Sequence, residues 1–207
     1  DVTEKKRRER EKGVVNNVSR IIASSLELKE VYKAVSVELG KLIDFDRTSI
    51  TLQVEEGHIL EYIVLTKDSS SSRLSEGTTF SSSGSATETV IKSGKPIITR
   101  DISKGLFSTD HLLYAEGIKS RVNVPLEYKG RIMGAINFGS KKMDNFREEH
   151  IELLMQVAPP LAISIENSNL FCKIRDSEEK YRDLIENAPE MIHKLDAQGR
   201  FLNANKT

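Results

Sequence analysis

Residues 122–138, VNVPLEYKGRIMGAINF, constrain the fold more than any other stretch of the chain. Apolar side chains alternate with other residues on both sides of YKGR. A period of two predicts two antiparallel strands joined by a tight turn, because successive strand side chains point to opposite faces. Asn123 and Asn137 stand among the aliphatic residues of this hairpin. Buried amides need partners, so the hairpin is either part of an ordinary core or one wall of a binding pocket.

The bulk numbers exclude several classes. A chain of 207 residues fits one domain of ordinary size plus extensions. Lys+Arg and Asp+Glu number 31 each, so the formal net charge is zero. Such a balance leaves no electrostatic footprint for nucleic acid or an anionic membrane. No apolar run approaches the ~18 residues a spanning helix needs, and the charged opening does not read as a signal peptide. The single cysteine, Cys172, rules out an internal disulfide and a cysteine-based zinc cluster. A cytoplasmic location is the simplest reading.

Along the chain, the opening DVTEKKRREREK carries ten charged residues in twelve and predicts a solvated helix or a frayed tail. From Val14, apolar residues recur at helical spacing through Val18, Ile21, Ile22 and Leu26. A second stripe runs through Val31, Val35, Leu39 and Leu42, with Ser25 as a candidate cap. RTSITLQVEEGHILEYIVLT predicts a hairpin turning at EEG. Residues 68–85 are serine-dense and predict a long mobile loop. Ser85 opens a short helix stopped by Gly94, KPIITR is a brief strand, and STDHLLYAEGI is a second short helix with Ser108 or Thr109 as cap. After the quoted hairpin, an apolar stripe from Phe146 to Leu184 predicts about ten helical turns. Pro160 predicts a kink or a broken hydrogen-bond ladder within it. The distal half of this helix has a thin apolar seam with flanking charges, which predicts a partner helix from a second copy. The last 25 residues predict the start of a further hairpin.

Taken together, SRVNVPLEYKGRIMGAINFGS and NFREEHIELLMQVAPPLAISIENSNLF resemble the final strands and closing helix of the GAF domain. The whole order of elements over residues 14–172 is similar to that family. SEEKYRDLIENAPEMIHKLDAQGRFLNANK resembles the opening of a PAS domain, and DVTEKKRRE the exit of another. The resemblance implies the end of a preceding PAS domain or helical linker at 1–13, a GAF domain at 14–172, a helical linker at 173–182 and a truncated PAS domain at 183–207. It implies an α+β fold: a six-stranded antiparallel sheet, a helical layer on one face, and a pocket roofed by loops and short helices on the other. PAS–GAF–PAS strings characterise bacterial and archaeal sensor proteins, commonly histidine kinases. The implied function is small-ligand sensing relayed through dimeric signalling helices. The alternative is a dimerising spacer that binds nothing.

Within that frame, alternation predicts Val122, Val124, Leu126, Ile132, Ile136 and Phe138 on the helix side. It predicts Asn123, Met133, Ala135 and Asn137 on the pocket side, with Arg47, Ser49 and Thr51 beside them. His111, Tyr114 and Arg121 complete the candidate ligand-binding set, from the roof and the strand that follows it. Asn123 and Asn137 either touch the ligand or satisfy each other and nearby backbone. Arg47 and Arg121 either hold an anion or pair with Asp44, Asp46 or Asp101. His111 lies about one turn early for the histidine of haem-binding relatives, and no cysteine stands where bilin-binding relatives carry one. The motif of cyclic-nucleotide-binding relatives is displaced in NFGSKKMDNFREE. The ligand is therefore an unidentified small molecule, and haem and a covalent bilin are disfavoured. His58, His111, His150 and His193 lack metal-ligand spacing, and no Walker-type phosphate loop appears, so no catalytic residues and no metal site are expected in this segment.

Overall fold

The computed structural model describes residues 2–24, 27–67, 74–190 and 193–204. The chain divides into two compact units, Asp1–Ile165 and Glu166–Thr207. In the first unit, helices α1 (Val2–Ser24) and α2 (Leu28–Leu39) precede the hairpin of β1 (Arg47–Glu55) and β2 (His58–Thr66). Then come β3 (Thr79–Ser81), α3 (Ala86–Ser93), β4 (Ile97–Thr99), a single 3-10 turn (Ile102–Lys104) and α4 (Asp110–Ala115). The hairpin β5 (Ser120–Tyr128) and β6 (Arg131–Ser140) leads into α5 (Glu148–Glu186). The second unit holds the distal part of α5 and a hairpin of β7 (His193–Leu195) and β8 (Phe201–Ala204).

The first six strands form one antiparallel sheet in the order β3-β2-β1-β6-β5-β4. The expected α+β architecture is therefore present. The YKGR turn closes with Lys129 and Gly130 both at positive φ, 50° and 80°. That pair of values is what a two-residue hairpin turn needs to match the twist of its strands. Between the sheet and the helices lies the main core. Val122, Val124, Leu126, Ile136 and Phe138 pack with Val14 and Val18 of α1, Tyr32, Val35 and Leu39 of α2, and Leu154, Val157 and Leu161 of α5. The face predicted for these strand residues is the face observed.

Several expectations need correction. Leu126 pairs with Gly134 but Glu127 pairs with Ile132, so β6 carries one extra residue there. Such a bulge reverses the side-chain alternation beyond it. Met133 consequently packs against the helix-side core, while Ile132 does not join it. The serine-dense stretch is not all loop: Thr79–Ser81 pairs with β2. Residues 68–73 of that stretch, and the candidate cap Ser25, lie outside the described residues. Of the two readings of the charged opening, the helix is observed, continuous with the apolar stripe of α1. Helix α5 runs undivided through Pro159 and Pro160. The two carbonyls that lose their donors belong to Met155 and Gln156, on the exposed side, where water can serve them. No described helix is long and apolar enough to cross a membrane.

Candidate functional site

The face of the sheet opposite the long helices carries polar side chains, set in rows by the strand register. Arg47 of β1 and Arg121 of β5 both pair with Gly139 of β6, which separates them. Two inter-strand spacings put the arginine backbones about 10 Å apart. One row along, Ser49, Asn137 and Asn123 stand side by side across β1, β6 and β5. Gly139 has no side chain to fill the gap, and a Cβ there would meet Ile118 Cγ2 at 3.1 Å. The row that holds both arginines is thus closed from above by the roof.

The amides satisfy each other first. Asn123 Nδ2 donates to Asn137 Oδ1 at 2.6 Å, and Asn137 Nδ2 donates to Thr51 Oγ1 at 2.7 Å and Ser49 Oγ at 3.2 Å. Thr51 Oγ1 in turn donates to Glu61 Oε1 at 3.5 Å. The chain of bonds crosses four strands, from β5 to β2. Glu61 reaches this face through a second bulge: Ile50 pairs with Ile63, but Thr51 pairs with Glu61, leaving Tyr62 as the extra residue.

Both arginines are buried beside carboxylates. Arg47 Nη2 lies 3.7 Å from Glu61 Oε2 and donates to the Leu74 carbonyl at 2.8 Å. Arg121 Nη2 lies 2.6 Å from Asp110 Oδ1, and its guanidinium stacks 4.9 Å from the Phe107 ring centre. The partners are Glu61 and Asp110, not the three acids the sequence suggested. Asp44 binds Lys67 and Lys142 at the surface, Asp46 accepts from Ser140 and the Lys141 amide, and Asp101 caps the 3-10 turn. Burial pushes the Glu61 carboxyl up to about 7, against the downward pull of Arg47. Burial also pulls the Arg121 guanidinium down to about 10, opposed by Asp110.

The roof closes this face. Ser85 Oγ caps α3 by accepting from the Glu88 amide at 3.0 Å, and Glu88 Oε2 accepts from the Gly84 amide at 2.8 Å. Gly94 ends α3 in the left-handed conformation, as its sequence position predicts. A small apolar cluster of Leu74, Ile102, Leu113 and Ile118 holds the roof segments together. Between roof and sheet lies a small, partly open cavity of about 450 Å³ with the space at its mouth included. Three buried polar atoms on residues that line it, Glu61 Oε2, Asn123 Oδ1 and Arg121 Nε, have no hydrogen-bond partner among the described residues.

Of the residues proposed from sequence, Arg47, Ser49, Thr51, Arg121, Asn123 and Asn137 line the cavity. His111 and Tyr114 are exposed on α4, and Met133 packs on the far side of the sheet, so none of these three is in the lining. The α4 cap also differs: Thr109 makes no side-chain cap, and Asp110 Oδ2 accepts from the Phe107 amide instead. Sequence reasoning missed Glu61, Asp110, Ser85 and Thr87 in the lining or its support. A lone acid inside the apolar run HILEYIVLT was the available signal for Glu61. The lining contains no His or Cys among the described residues, and no described group of His, Cys, Asp and Glu is placed to hold a metal. What the arrangement can do is donate and accept hydrogen bonds in a desolvated space whose charge varies near neutral pH.

An antiparallel sheet backed by helices and roofed over a polar cavity defines a class of single-sheet α+β domain. The chain belongs to the GAF domain family, which it matches over residues 27–165. Domains of this family are typically regulatory or ligand-sensing modules of signalling proteins. Solved structures of similar fold include the GAF domain of a two-component sensor histidine kinase from Bacillus halodurans, 23% identical at a TM-score of 0.62, covering 71% of this chain and 99% of that one. The GAF domain of a phosphoenolpyruvate-protein phosphotransferase from Coxiella burnetii is 15% identical at 0.68, covering 80% and 98%. The free methionine-R-sulfoxide reductase of Neisseria meningitidis, solved with its substrate, is 15% identical at 0.62, covering 77% and 90%. No curated protein matches the chain significantly.

Proposed function

We propose that this chain is the ligand-sensing segment of a multi-domain signal-transduction protein of the sensor histidine kinase type. The observation that carries this reading is the cavity wall: three buried polar atoms lack partners among the described residues, beneath a roof made of short separate segments. Unpaired buried polar atoms cost free energy, and a bound molecule would recover it. The PAS-like flanks at 1–13 and 183–207, and the similar fold of a GAF domain from a sensor histidine kinase, support the choice of parent. Ligand would order the roof, and the strands would pass the change to α1 and α5. A ligand shifts the signal only if it distinguishes two arrangements of those helices.

A thermal-shift screen of cyclic nucleotides, amino acids, small carboxylates and tetrapyrroles tests binding, since a ligand of the folded state raises the melting temperature by mass action. Spin labels at Arg10 and Arg175 then test transmission. Unchanged inter-label distances at saturating ligand would refute the relay. The spacer reading is favoured by one observation: the amide donors are already spent inside the sheet, Asn123 Nδ2 on Asn137 Oδ1 and Asn137 Nδ2 on Thr51 and Ser49. A screen without any hit selects it.

A further inference from the structure

A single nitrogen, Arg47 Nη2, stands between two acceptors. It donates to the Leu74 carbonyl at 2.8 Å and lies 3.7 Å from Glu61 Oε2, beyond hydrogen-bond length. Arg47 and Glu61 are both buried, and Glu61 Oε2 has no hydrogen-bond partner among the described residues. Leu74 opens the roof segment 74–78, and its side chain is buried in the apolar cluster with Ile102, Leu113 and Ile118. The far end of that segment is fastened to Glu61 itself. The Gly77 amide donates to the Glu61 carbonyl at 2.8 Å, and the Glu61 amide donates to the Thr78 carbonyl at 2.9 Å. Lys29 of α2 pairs with Glu76 at 2.9 Å, which ties the same segment to the helical layer. One buried acid thus holds the segment by its main chain and faces the cation that holds the leading carbonyl.

We propose that Glu61, Arg47 and the Leu74 carbonyl form a proton-operated latch: segment 74–78 is held while Glu61 is neutral and released when Glu61 ionises and draws Arg47 Nη2 to itself. A protonated carboxyl competes poorly for a guanidinium, whereas a carboxylate forms a charge-assisted bond about twice as strong as a neutral one. A buried carbonyl that loses this donor is costly to leave in place, so residue 74 turns toward water. Burial holds the Glu61 carboxyl at about 7, against the pull of Arg47, so both states are populated around neutral pH. The other charges that face Glu61 leave it as the group that changes. Glu116, after α4, pushes its pKa further up. Tyr32 of α2 lies on the core side of the sheet, and burial holds its hydroxyl well above its usual range. Arg121 pairs with Asp110, Glu76 with Lys29 and Glu88 with Lys92. β3 and residues 134–140 of β6 carry no titratable side chain, and His58 and His111 are exposed. The latch goes beyond the ligand-sensing reading and needs no ligand, because its input is the proton.

The test is a nuclear magnetic resonance titration of the full chain, labelled with carbon-13 and nitrogen-15, from about pH 5.5 to 8.5 with no added compound. The Glu61 carboxyl carbon should titrate near neutral pH. The amide resonances of 74–78 and the methyl resonances of Leu74, Ile102 and Leu113 should move with the same midpoint. Amide exchange over 75–78, corrected for its intrinsic dependence on pH, should quicken about tenfold across the range, since one unit of pKa difference between the held and released states is a factor of ten in the opening equilibrium. Glu61→Gln keeps the shape and removes the titration, so its 74–78 resonances should stay at the wild type's acid positions throughout. Histidines titrate in the same range, so His111→Gln is the control and should follow the wild type. The latch is overturned if Glu61 titrates in the ordinary carboxylate range, or if it titrates near neutral pH and 74–78 do not follow. It is equally overturned if 74–78 titrate unchanged in Glu61→Gln, or if protection over 75–78 rises with pH. Should Glu61→Gln fail to fold, the agreement or disagreement of the two midpoints in the wild type decides alone. Failure of the latch leaves ligand sensing standing, because no ligand enters the test.

Discussion

At the scale of single residues, Glu61 makes stability depend on pH in an unusual direction. Its folded-state value near 7 lies above its ordinary 4.5, so the folded chain retains a proton that the unfolded chain releases. The stability this contributes is complete below about 4.5 and is lost as pH rises through about 7. Urea denaturation should therefore show wild-type stability falling between pH 5 and 8 by on the order of 1–3 kcal/mol from this group, with a flatter profile in Glu61→Gln. The opposite sign belongs to His150, whose Nδ1 accepts the Arg147 amide at 3.2 Å. Burial lowers its pKa below 6.5, so its contribution is present above that value and fades as pH falls through the lower folded one. The Arg121–Asp110 pair follows another rule. Asp110→Asn leaves a buried guanidinium without its counter-charge and should cost about 3–5 kcal/mol. Replacing both partners with apolar residues, Arg121→Met with Asp110→Leu, should recover much of that loss, and a thermal melt of the three variants measures it.

At the scale of elements, Gly134 marks a close approach of β6 to β1. A Cβ on Gly134 would run into the Thr51 carbonyl oxygen and crowd Leu52 Cα, both backbone atoms that cannot turn aside. Gly134→Ala should thus destabilise by about 2–3 kcal/mol or more, read from the urea midpoint, whereas Gly57→Ala, with open space around it, suffers only from its backbone φ of +79°. The cap of α3 is a milder case: Ser85→Ala should cost about 1 kcal/mol and loosen the roof, visible as faster amide exchange over 86–93. These elements also show what the sequence could and could not disclose. Period two in 122–138 revealed the hairpin, its turn and its helix-facing residues, and residue type at Ser85 and Gly94 revealed the bounds of α3. The bulges escaped it, among them the two that shape the site, because an extra residue in a strand leaves no compositional mark. One bulge moved Met133 to the helix side, and the other brought Glu61 into the cavity. Ion-pair partners escaped for a related reason. Asp110 meets Arg121 only because α4 folds back over β5, and nothing within STDHLLYAEGI encodes that distance.

At the scale of the whole molecule, the question is whether copies of the chain associate. The distal part of α5 exposes Leu170, Ile174, Tyr181 and Leu184, between 44% and 65% accessible. With Ser177 between them these positions step by four, three, four and three residues, the heptad spacing of a helix that packs against another helix. We propose that this seam pairs with its equivalent in a second copy. Ser177 is the informative position. A polar residue at one seam site costs stability while helping to fix the register. If the seam is a dimer interface, Ser177→Leu should tighten association tenfold or more, about 1.4 kcal/mol, and Ile174→Asp with Leu184→Asp should shift sedimentation toward the monomer. A seam merely exposed to water predicts the reverse for the first variant: no gain in association and poorer solubility. Sedimentation over a concentration series separates the two. The result also bears on signalling, because a relay through α5 requires a partner against which its motion can be registered.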